Sequence, residues 1–588
     1  MIICGIKLTH DGAISLIENN RLIFSYEMEK LNNNNRFSAL DVLTLEEFRD
    51  ILAEYGYTFK DIDKVVIDGW GEYGGATEQN NETYTAKMTS FSGEEFFGKV
   101  AQYGLNVKEE DVLETKYFSY PEFNFSYSSY MHVSSHIFSA YCTSPFSKNN
   151  ENSFALVWDG AMCPQLFYVR GDKRKVKNLG SLFIISGNIY GTFANNFPPF
   201  NNFSFADGSI AGKVMAYIAK GECKENVLNT FKSLFKTHNE KYAPDSSIPN
   251  LEIAKITNEL MMDFVKYGES INEEPVNLMA SFHVFINDIL LESLKEKIKK
   301  YPDYNKKLCY AGGCALNIKW NSTIRNSNIF EEIWIPPFPN DSGSAVGTAC
   351  CEMFKSSDFT ALDWDVYSGP NVLKEEFSNN NWVKYPFSIK KMAQVLYELI
   401  EPIVFINGRA ELGPRALGNR SILASAVSNS MKDKLNEVKN REDYRPVAPI
   451  CLQDRANEIF FPGIPDPLML FDHQVKEEWK DKIPAVCHID GTARLQTITR
   501  NSNPVVYELI EEYSKLSQIP VLCNTSANYK GKGFFPNVSS VMEWDKVNMI
   551  WSDNFIYVKI GTLAQNRVQE LCSIENVEQD IIDINFDY

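Results

Sequence analysis

Apolar and polar positions alternate in short blocks at the start of the chain. "MIICGIKL" is an apolar run, "THDG" interrupts it, "AISLIE" resumes it, "NN" interrupts again and "RLIFSYEME" completes the unit. Short apolar runs bounded by Asn, Asp and Gly predict three strands joined by tight turns. The pattern returns at 153–181 as "SFALVWDG", "PQLFYVR", "GD" and "RKVKNLGSLF". Elsewhere the period lengthens. Residues 45–56 and 277–300 repeat apolar side chains every three to four positions, which predicts amphipathic helices. "KLCYAGGCALN", 307–317, predicts a buried strand ending on two glycines. Residues 333–354 predict a strand, a proline-rich loop and a helix of small residues beginning after Asp341. Residues 355–390 show no clear period and read as a linker. A new apolar run at "KMAQVLYELIEPIVFI" opens a second domain.

A strand, a turn carrying Asp-Gly and a hairpin, occurring twice, predict a duplicated α/β domain. The actin and sugar-kinase superfold is built on the same plan, a likeness that speaks to fold and not to function. Length agrees with more than one domain, since 588 residues exceed a single typical core. No apolar run approaches a membrane span, and the first residues read as a strand of the fold instead of a signal peptide. Twelve cysteines, with no CxxC pair, read as reduced thiols of a cytoplasmic protein. A net charge of −18 argues against a broad surface for duplex nucleic acid and leaves room for local basic pockets.

Candidate chemistry starts from histidine economy. The chain has seven histidines and places two of them, His132 and His136, four residues apart, on one face of a helix. That spacing alone equally describes ordinary helix histidines. Three further elements raise its interest: His10-Asp11-Gly12 after the first strand, Asp159-Gly160 after the repeat strand, and Asn340-Asp341 before a helix. Two histidines with one or two carboxylates suit a divalent transition metal that keeps an open coordination position. Against this, Asp159 reads equally as a turn residue and Asp341 as a helix cap.

Nine segments then occur in a fixed order: "HDGAISLIENNRLIFSYEMEKLNNNNRFS", "HVSSHIFSAYCTSPF", "ALVWDGAMCP", "AGKVMAYIAKG", "YAGGCALNIKWN", "IPPFPNDSGSAVG", "GRAELGPRALGNRSI", "VKNREDYRPVAP" and "LCNTSAN". Together they resemble the O-carbamoyltransferases of the nodulation-protein-U and cephalosporin-carbamoyltransferase family, over about residues 1–560. Within it, "EKLNNNNRFS" looks closest to the branch acting on small-molecule toxins and antibiotics. The resemblance implies an actin-like domain over 1–360, similar to that of tRNA threonylcarbamoyl transferases. It further implies a linker at 361–390, an α+β YrdC-like domain at 391–565 and an acidic tail at 566–588.

The resemblance also implies an activity. The YrdC-like domain would make carbamoyl adenylate from carbamoyl phosphate and ATP, and the actin-like domain would pass the carbamoyl group to a hydroxyl of a small-molecule acceptor. Implied metal ligands, for Fe(2+) or a similar ion, are His132, Asp159 and Asp341 with His136 beside them. His10 is the implied general base, in competition with a positioning or turn role. Asp11, Gly160, Lys213, Gly312, Gly313 and Asn317 are the implied carbamoyl-adenylate contacts. Arg415, Arg420, Lys439, Arg441, Arg445, Arg494, Asn524, Thr525 and Ser526 would bind carbamoyl phosphate and ATP with Mg(2+), as Arg forks and hydroxyl donors suit phosphates. Arg420 and Arg441 read equally as structural ion pairs, and Lys213 as a snorkelling side chain. One departure stands out: after "NTS" the family commonly has an aromatic residue and then "GEP", whereas this chain has "ANYKGKGFFP", with Ala527 and Lys532 in those places. The alternatives are a tRNA threonylcarbamoylation-type enzyme and an inactive nucleotide-binding homologue. No membrane partner is expected, a homodimer is compatible with the assignment, and the acceptor is not readable from the residues.

Overall fold

The computed structural model describes residues 1–31, 39–40, 45–70, 77–79, 83–89, 95–104, 111–120, 125–203, 208–242 and 250–584. Part of the "EKLNNNNRFS" signature, 32–38, lies outside them. The chain forms two compact units. The first comprises Met1–Glu29, Phe37–Ser368 and Leu412–Pro414. The second comprises Lys30–Arg36, Gly369–Glu411 and Arg415–Tyr588.

The first unit contains the predicted duplication. In its first sheet the strand Ile2–Lys7 lies between Ala13–Glu18, antiparallel to it, and Lys64–Asp68, parallel to it. Arg21–Glu27 extends the hairpin side, and Phe125–Tyr130 adds a parallel strand on the other. In the second sheet Ser153–Val157 occupies the same place. Gln165–Arg170 and Lys175–Ser181 form the antiparallel side, and Lys307–Ala311 and Glu332–Trp334 the parallel side. The strand order is therefore the same in both, apart from one antiparallel edge strand, Thr115–Tyr120, added to the first. Hairpins need only short polar turns, whereas each parallel pairing needs a crossover. That is why "NN" and "GD" suffice on one side of each sheet, whereas the parallel side takes long connections, which in the second sheet run through helices.

Two helices run through the interior of this unit. His132–Thr143 is buried along its whole length, and Ser344–Ser356 is buried from Ser344 to Phe354. They approach so closely that a Cβ on Gly347 would lie 2.0 Å from the Ser135 carbonyl oxygen, so only glycine fits there. Three longer helices, Glu225–Tyr242, Asn250–Ser270 and Pro275–Lys299, carry a separate aromatic cluster in which Phe231, Phe264, Phe282 and Phe285 interlock.

The second unit is an α+β arrangement around one eight-stranded, largely antiparallel sheet. Its strands run in the order Trp382–Pro386, Phe555–Lys559, Met549–Ser552, Ile403–Ile406, Arg420–Ser425, Val521–Ser526, Ala448–Leu452 and Gln496–Ile498. The helices Ile389–Leu399 and Pro504–Ser517 place Met392, Leu396, Leu509 and Tyr513 in one apolar cluster with the sheet residues Phe405, Ile450 and Trp551.

Two sequence expectations change. Trp382–Pro386, inside the stretch read as a linker, is the edge strand of this sheet, paired with Phe555–Lys559. Only Trp382 of its five residues is buried, with Lys384 and Pro386 exposed, as an edge strand allows, and five residues are too few for a period to stand out. The acidic tail expected from 566 belongs to a helix, Leu563–Ile584, that buries Ala564, Val568 and Leu571 in the core cluster. Those three positions recur at helical spacing inside an otherwise charged segment. Among the described residues, no helix is long and apolar enough to cross a membrane.

Arg420 is a further correction. Its motif predicts a phosphate ligand, but its side chain is 1% exposed. Its Nη1 donates to the carbonyl oxygens of Asn407 at 2.9 Å and Asn419 at 3.0 Å, and its Nη2 to those of Gly408 at 3.0 Å and Pro370 at 3.2 Å. Both terminal nitrogens are spent on backbone, and burial lowers the guanidinium pKa to about 10 against the pull of Glu411 and Asp553. Arg420 closes the loop around it and is not a ligand donor. Arg420→Met should remove all four of these hydrogen bonds, while the Asn419, Pro370 and Gly408 carbonyls keep backbone N–H donors from Asn407, Ala410 and Val372. A hydrogen bond to a charged group is worth about 1.5–3 kcal/mol, so the second unit should melt at a clearly lower temperature in calorimetry. An unchanged transition would return Arg420 to the binding residues.

Candidate functional site

The ends of five chain elements meet at one buried cluster in the first unit. The apolar strands "IICGIK" and "KVVID" each finish on a charged residue, Lys7 and Asp68. The strands are parallel with Ile6 opposite Ile67, so Lys7 and Asp68, the next residues along, share one face. The strand Phe125–Tyr130 leads into the helix His132–Thr143, which starts on His132 and presents His136 one turn later. Asp159 lies in the turn after Ser153–Val157. Asp341 opens a single 3-10 turn before Ser344–Ser356. Ligands in open α/β sheets collect outside the carboxyl ends of the strands, and this cluster lies there.

His132 Nε2 and His136 Nε2 face each other 3.1 Å apart. Asp341 Oδ1 lies 3.4 Å from the first and 3.5 Å from the second, and Asp159 Oδ2 lies 4.0 Å from His132 Nε2. One nitrogen or oxygen from each of these four buried residues falls within 4.8 Å of the others. Bonds of about 2.0–2.1 Å to a divalent ion at tetrahedral angles would put neighbouring ligand atoms about 3.4 Å apart. His132, His136 and Asp341 have that spacing, at 3.1–3.5 Å, and Asp159 lies farther out, 4.0 Å from His132 Nε2.

Charge agrees with geometry. Asp68, Asp159 and Asp341 gather at the cluster, and the Lys7 ammonium lies 3.0 Å from both Asp68 Oδ2 and Asp341 Oδ2. Three carboxylates against one ammonium leave the cluster short of positive charge. The response is visible in His132: burial pushes its pKa down, but Asp68 and Asp341 carry it up to about 9. Burial likewise works against ionisation of Asp341, yet Lys7, His132 and His10 hold its carboxyl well below the usual range. The donor set and the charge deficit fit a divalent cation.

Around the quartet, supporting contacts are dense. Tyr103 Oη donates to Asp159 Oδ2 at 2.5 Å and the Gly313 N–H to Asp159 Oδ1 at 2.6 Å. Trp70 lies edge-on to both His10 and His132 and beneath the Lys7 ammonium, 3.9 Å from its ring centre. His10 sits at the rim, with its side chain 49% exposed. Its Nδ1 pairs with Asp11 Oδ2 at 2.8 Å, and its Nε2 lies 3.6 Å from Asp341 Oδ2. Burial would lower the His10 pKa, and the two carboxylates raise it overall. Asp11 itself adopts a left-handed conformation and accepts a hydrogen bond from Asn340 at 3.4 Å.

The remaining first-unit candidates divide. Gly160 lies in the Asp159 turn, where its carbonyl accepts from the Asn188 N–H. Gly312 has φ +91°, and a Cβ there would meet the Trp158 carbonyl oxygen at 2.3 Å, so the glycine pair packs the loop onto the Asp159 turn. Asn317 caps the helix Ile318–Asn326, its side-chain oxygen accepting from the N–H groups of Lys319 and Trp320. Lys213 is buried with its ammonium over the Phe203 ring, 4.0 Å from the centre.

In the second unit, four expected residues are brought together. Arg441 Nη1 donates to Thr525 Oγ1 at 3.1 Å, and Lys439 Nζ to Ser526 Oγ at 2.9 Å and Asn528 Oδ1 at 2.6 Å. Asn524 is buried beneath them, its amide donating to Ala416 and Gln496. Arg415, Arg445 and Arg494 are half-buried in the same unit, with Arg445 3.8 Å from Glu442. Ala527 is fully buried and donates its N–H to the Arg420 carbonyl, which leaves no space there for an aromatic side chain.

Sequence reasoning missed Lys7, Asp68, Tyr103 and Trp70. The available signal was a charged residue ending each of two apolar strands. Their pairing depends on the register between strands separated by more than fifty residues, which the sequence does not display.

Comparison with known proteins gives a consistent picture. Residues 2–350 match the family described as carbamoyltransferase N-terminus, and residues 397–559 match carbamoyltransferase C-terminus. Nodulation protein U of Sinorhizobium fredii is 44% identical over 577 residues, covering 96% of this chain and 100% of that protein. The 3'-hydroxymethylcephem-O-carbamoyltransferase of Streptomyces clavuligerus is 29% identical, covering 94% and 99%. Identity is thus higher to the nodulation protein than to the cephem enzyme. Full-length HypF in its phosphate- and nucleotide-bound form is a distant structural neighbour, 10% identical with a TM-score of 0.29 over 60% of this chain and 55% of that one. At that distance the fold rests on the strand order alone. Both halves of the chain match, and the relatives are matched over their full length: the protein belongs to the carbamoyltransferase family.

Proposed function

We propose that this carbamoyltransferase works in two half-reactions. In the first, the second unit, read as YrdC-like, binds ATP with Mg(2+) and carbamoyl phosphate. One water is consumed, pyrophosphate and phosphate leave, and carbamoyl adenylate forms. In the second, an alcohol attacks the carbamoyl carbon at the first unit, read as actin-like, its proton is removed and AMP leaves. The acceptor is a hydroxyl-bearing small molecule, a reading supported by the relative named for a hydroxymethyl cephem. The cytoplasm is the compartment that twelve free thiols support.

The observation that carries this reading is the buried quartet of His132, His136, Asp159 and Asp341 with half-exposed His10 at its rim. The quartet would hold Fe(2+) or a similar ion, which when bound acts as a Lewis acid toward carbonyl or phosphoryl oxygen. His10 supplies what the buried residues cannot, a basic nitrogen within reach of an incoming alcohol. With the Nδ1 proton directed at Asp11, the lone pair lies on Nε2, so that nitrogen takes the hydroxyl proton. Lys439, Arg441, Thr525 and Ser526 offer ammonium, guanidinium and hydroxyl donors suited to anionic substrates of the first half-reaction.

The test separates the halves. Wild-type protein given ATP, carbamoyl phosphate and a panel of alcohols should release pyrophosphate only when carbamoyl phosphate is present, and should yield a product heavier by one CONH unit. His10→Asn preserves size and polarity but cannot act as a base. It should release pyrophosphate normally and transfer at least about a hundredfold more slowly, the usual worth of general-base catalysis. Normal transfer by His10→Asn would assign the proton to another acceptor. Arg441→Gln should act oppositely, lowering pyrophosphate release at least about tenfold, equivalent to about 1.4 kcal/mol, while using supplied carbamoyl adenylate at the parental rate. If Arg441→Gln fails equally with supplied adenylate, the division between units is wrong.

A further inference from the structure

We propose that Asp68 and Lys7 are positioning residues for the metal quartet: Asp68 fixes the tautomer of His132, and Lys7 selects the oxygen of Asp341 that faces the ion. The inference rests on the metal reading of the quartet and adds two residues that the sequence motifs do not contain.

Asp68 is buried and fully engaged. Its Oδ2 accepts from His132 Nδ1 at 2.7 Å, and its Oδ1 accepts from Ser135 Oγ at 2.6 Å, within the first turn of the same helix. An imidazole that places its proton on Nδ1 keeps its lone pair on Nε2. Nε2 is the His132 atom that faces His136, Asp341 and Asp159. A carboxylate behind a ligating histidine fixes ring orientation and raises its basicity, and losing such a partner typically costs about 10–100-fold in metal affinity.

Lys7 completes the arrangement. Its ammonium lies 3.0 Å from Asp68 Oδ2 and 3.0 Å from Asp341 Oδ2, over the face of Trp70, and its side chain is 1% exposed. Lys7 holds Asp341 Oδ2 in a charge contact without a hydrogen bond, and Oδ1 is the oxygen that faces the two imidazoles, 3.4 and 3.5 Å away. An aspartate that offers one oxygen instead of two keeps the protein ligands at four, so that a substrate oxygen can be added as a fifth. Without Lys7, both oxygens of Asp341 could chelate and take that place.

Co(2+) is the probe, because its visible absorption is strong at four-coordinate sites and weakens as coordination number rises. The full-length protein, stripped with a chelator and titrated with Co(2+) against a competing indicator, should bind one ion per chain, and His136→Ala should abolish this. Asp68→Asn should weaken affinity by about 10–100-fold with an unchanged wild-type spectrum shape once loaded. Lys7→Met should instead bind Co(2+) with a weaker visible band. Ser135→Ala, which a helix tolerates, should weaken affinity by a smaller factor, and it decides the matter if Asp68→Asn fails to fold. If the wild type binds no Co(2+), the metal reading itself falls. If it binds, but Asp68→Asn and Ser135→Ala match its affinity and Lys7→Met matches its spectrum, the positioning role is overturned and the metal reading stands.

Discussion

A buried ammonium held between two buried carboxylates sets the conditions for the first unit. Lys7 touches Asp68 and Asp341 at equal distance, with almost no exposure of any of the three. Taking such charges out of water costs several kcal/mol per ion, and the cost is met only when geometry is good and remaining oxygens find donors. At Asp68 they do, through Ser135 and His132; at Asp341, His132 and His136 lie against Oδ1, and Oδ2 keeps only its charge contact with Lys7. The arrangement ties the ends of two parallel strands to the start of two helices. The same helix starts carry three of the four quartet residues, so the fold cannot relax the charge cluster without also moving the candidate site.

Duplication explains why the site is where it is. In each sheet the central strand turns out through an Asp-containing loop, His10-Asp11-Gly12 in one and Asp159-Gly160 in the other. The two loops reach one cluster, with His10 3.6 Å from Asp341 and Asp159 4.0 Å from His132. The equivalent positions then diverge in chemistry. The Asp159 turn is buried and braced by Tyr103 and Gly313, as a ligand must be. The His10 turn is half-exposed, as a group meeting substrate must be.

The second unit shows that a cationic residue in a motif is not by itself a binding residue. Arg420 and Arg441 lie twenty-one positions apart in motifs of similar appearance. Arg420 is consumed by four backbone carbonyls, whereas Arg441 is half-buried and rests on the hydroxyl of Thr525. The difference is burial, since a guanidinium enclosed by protein must satisfy its donors there, while one at a surface can exchange a weak contact for a phosphate. The match of both halves to carbamoyltransferase families is compatible with either role and does not distinguish them.

The sequence alone determined many of the elements and placed His10, His132, His136, Asp159 and Asp341 among the candidate site residues, but not the residues that support them. Strand hairpins at 2–27 and 153–181, the helices near 45 and 277, and the turns with His10, Asp159 and Asp341 follow from local period and turn chemistry, which act over a few residues. The His132/His136 pair likewise follows from helical geometry. What tertiary structure decided are matters of long-range pairing. The register of Ile2–Lys7 against Lys64–Asp68 put a lysine beside an aspartate sixty-one residues away and so created the support for His132. The sheet edge claimed Trp382–Pro386 from an apparent linker, and enclosure removed Arg420 from the candidate phosphate donors. Local patterns encode which atoms are available, whereas burial and register, set by the whole chain, determine which of them are left to do chemistry.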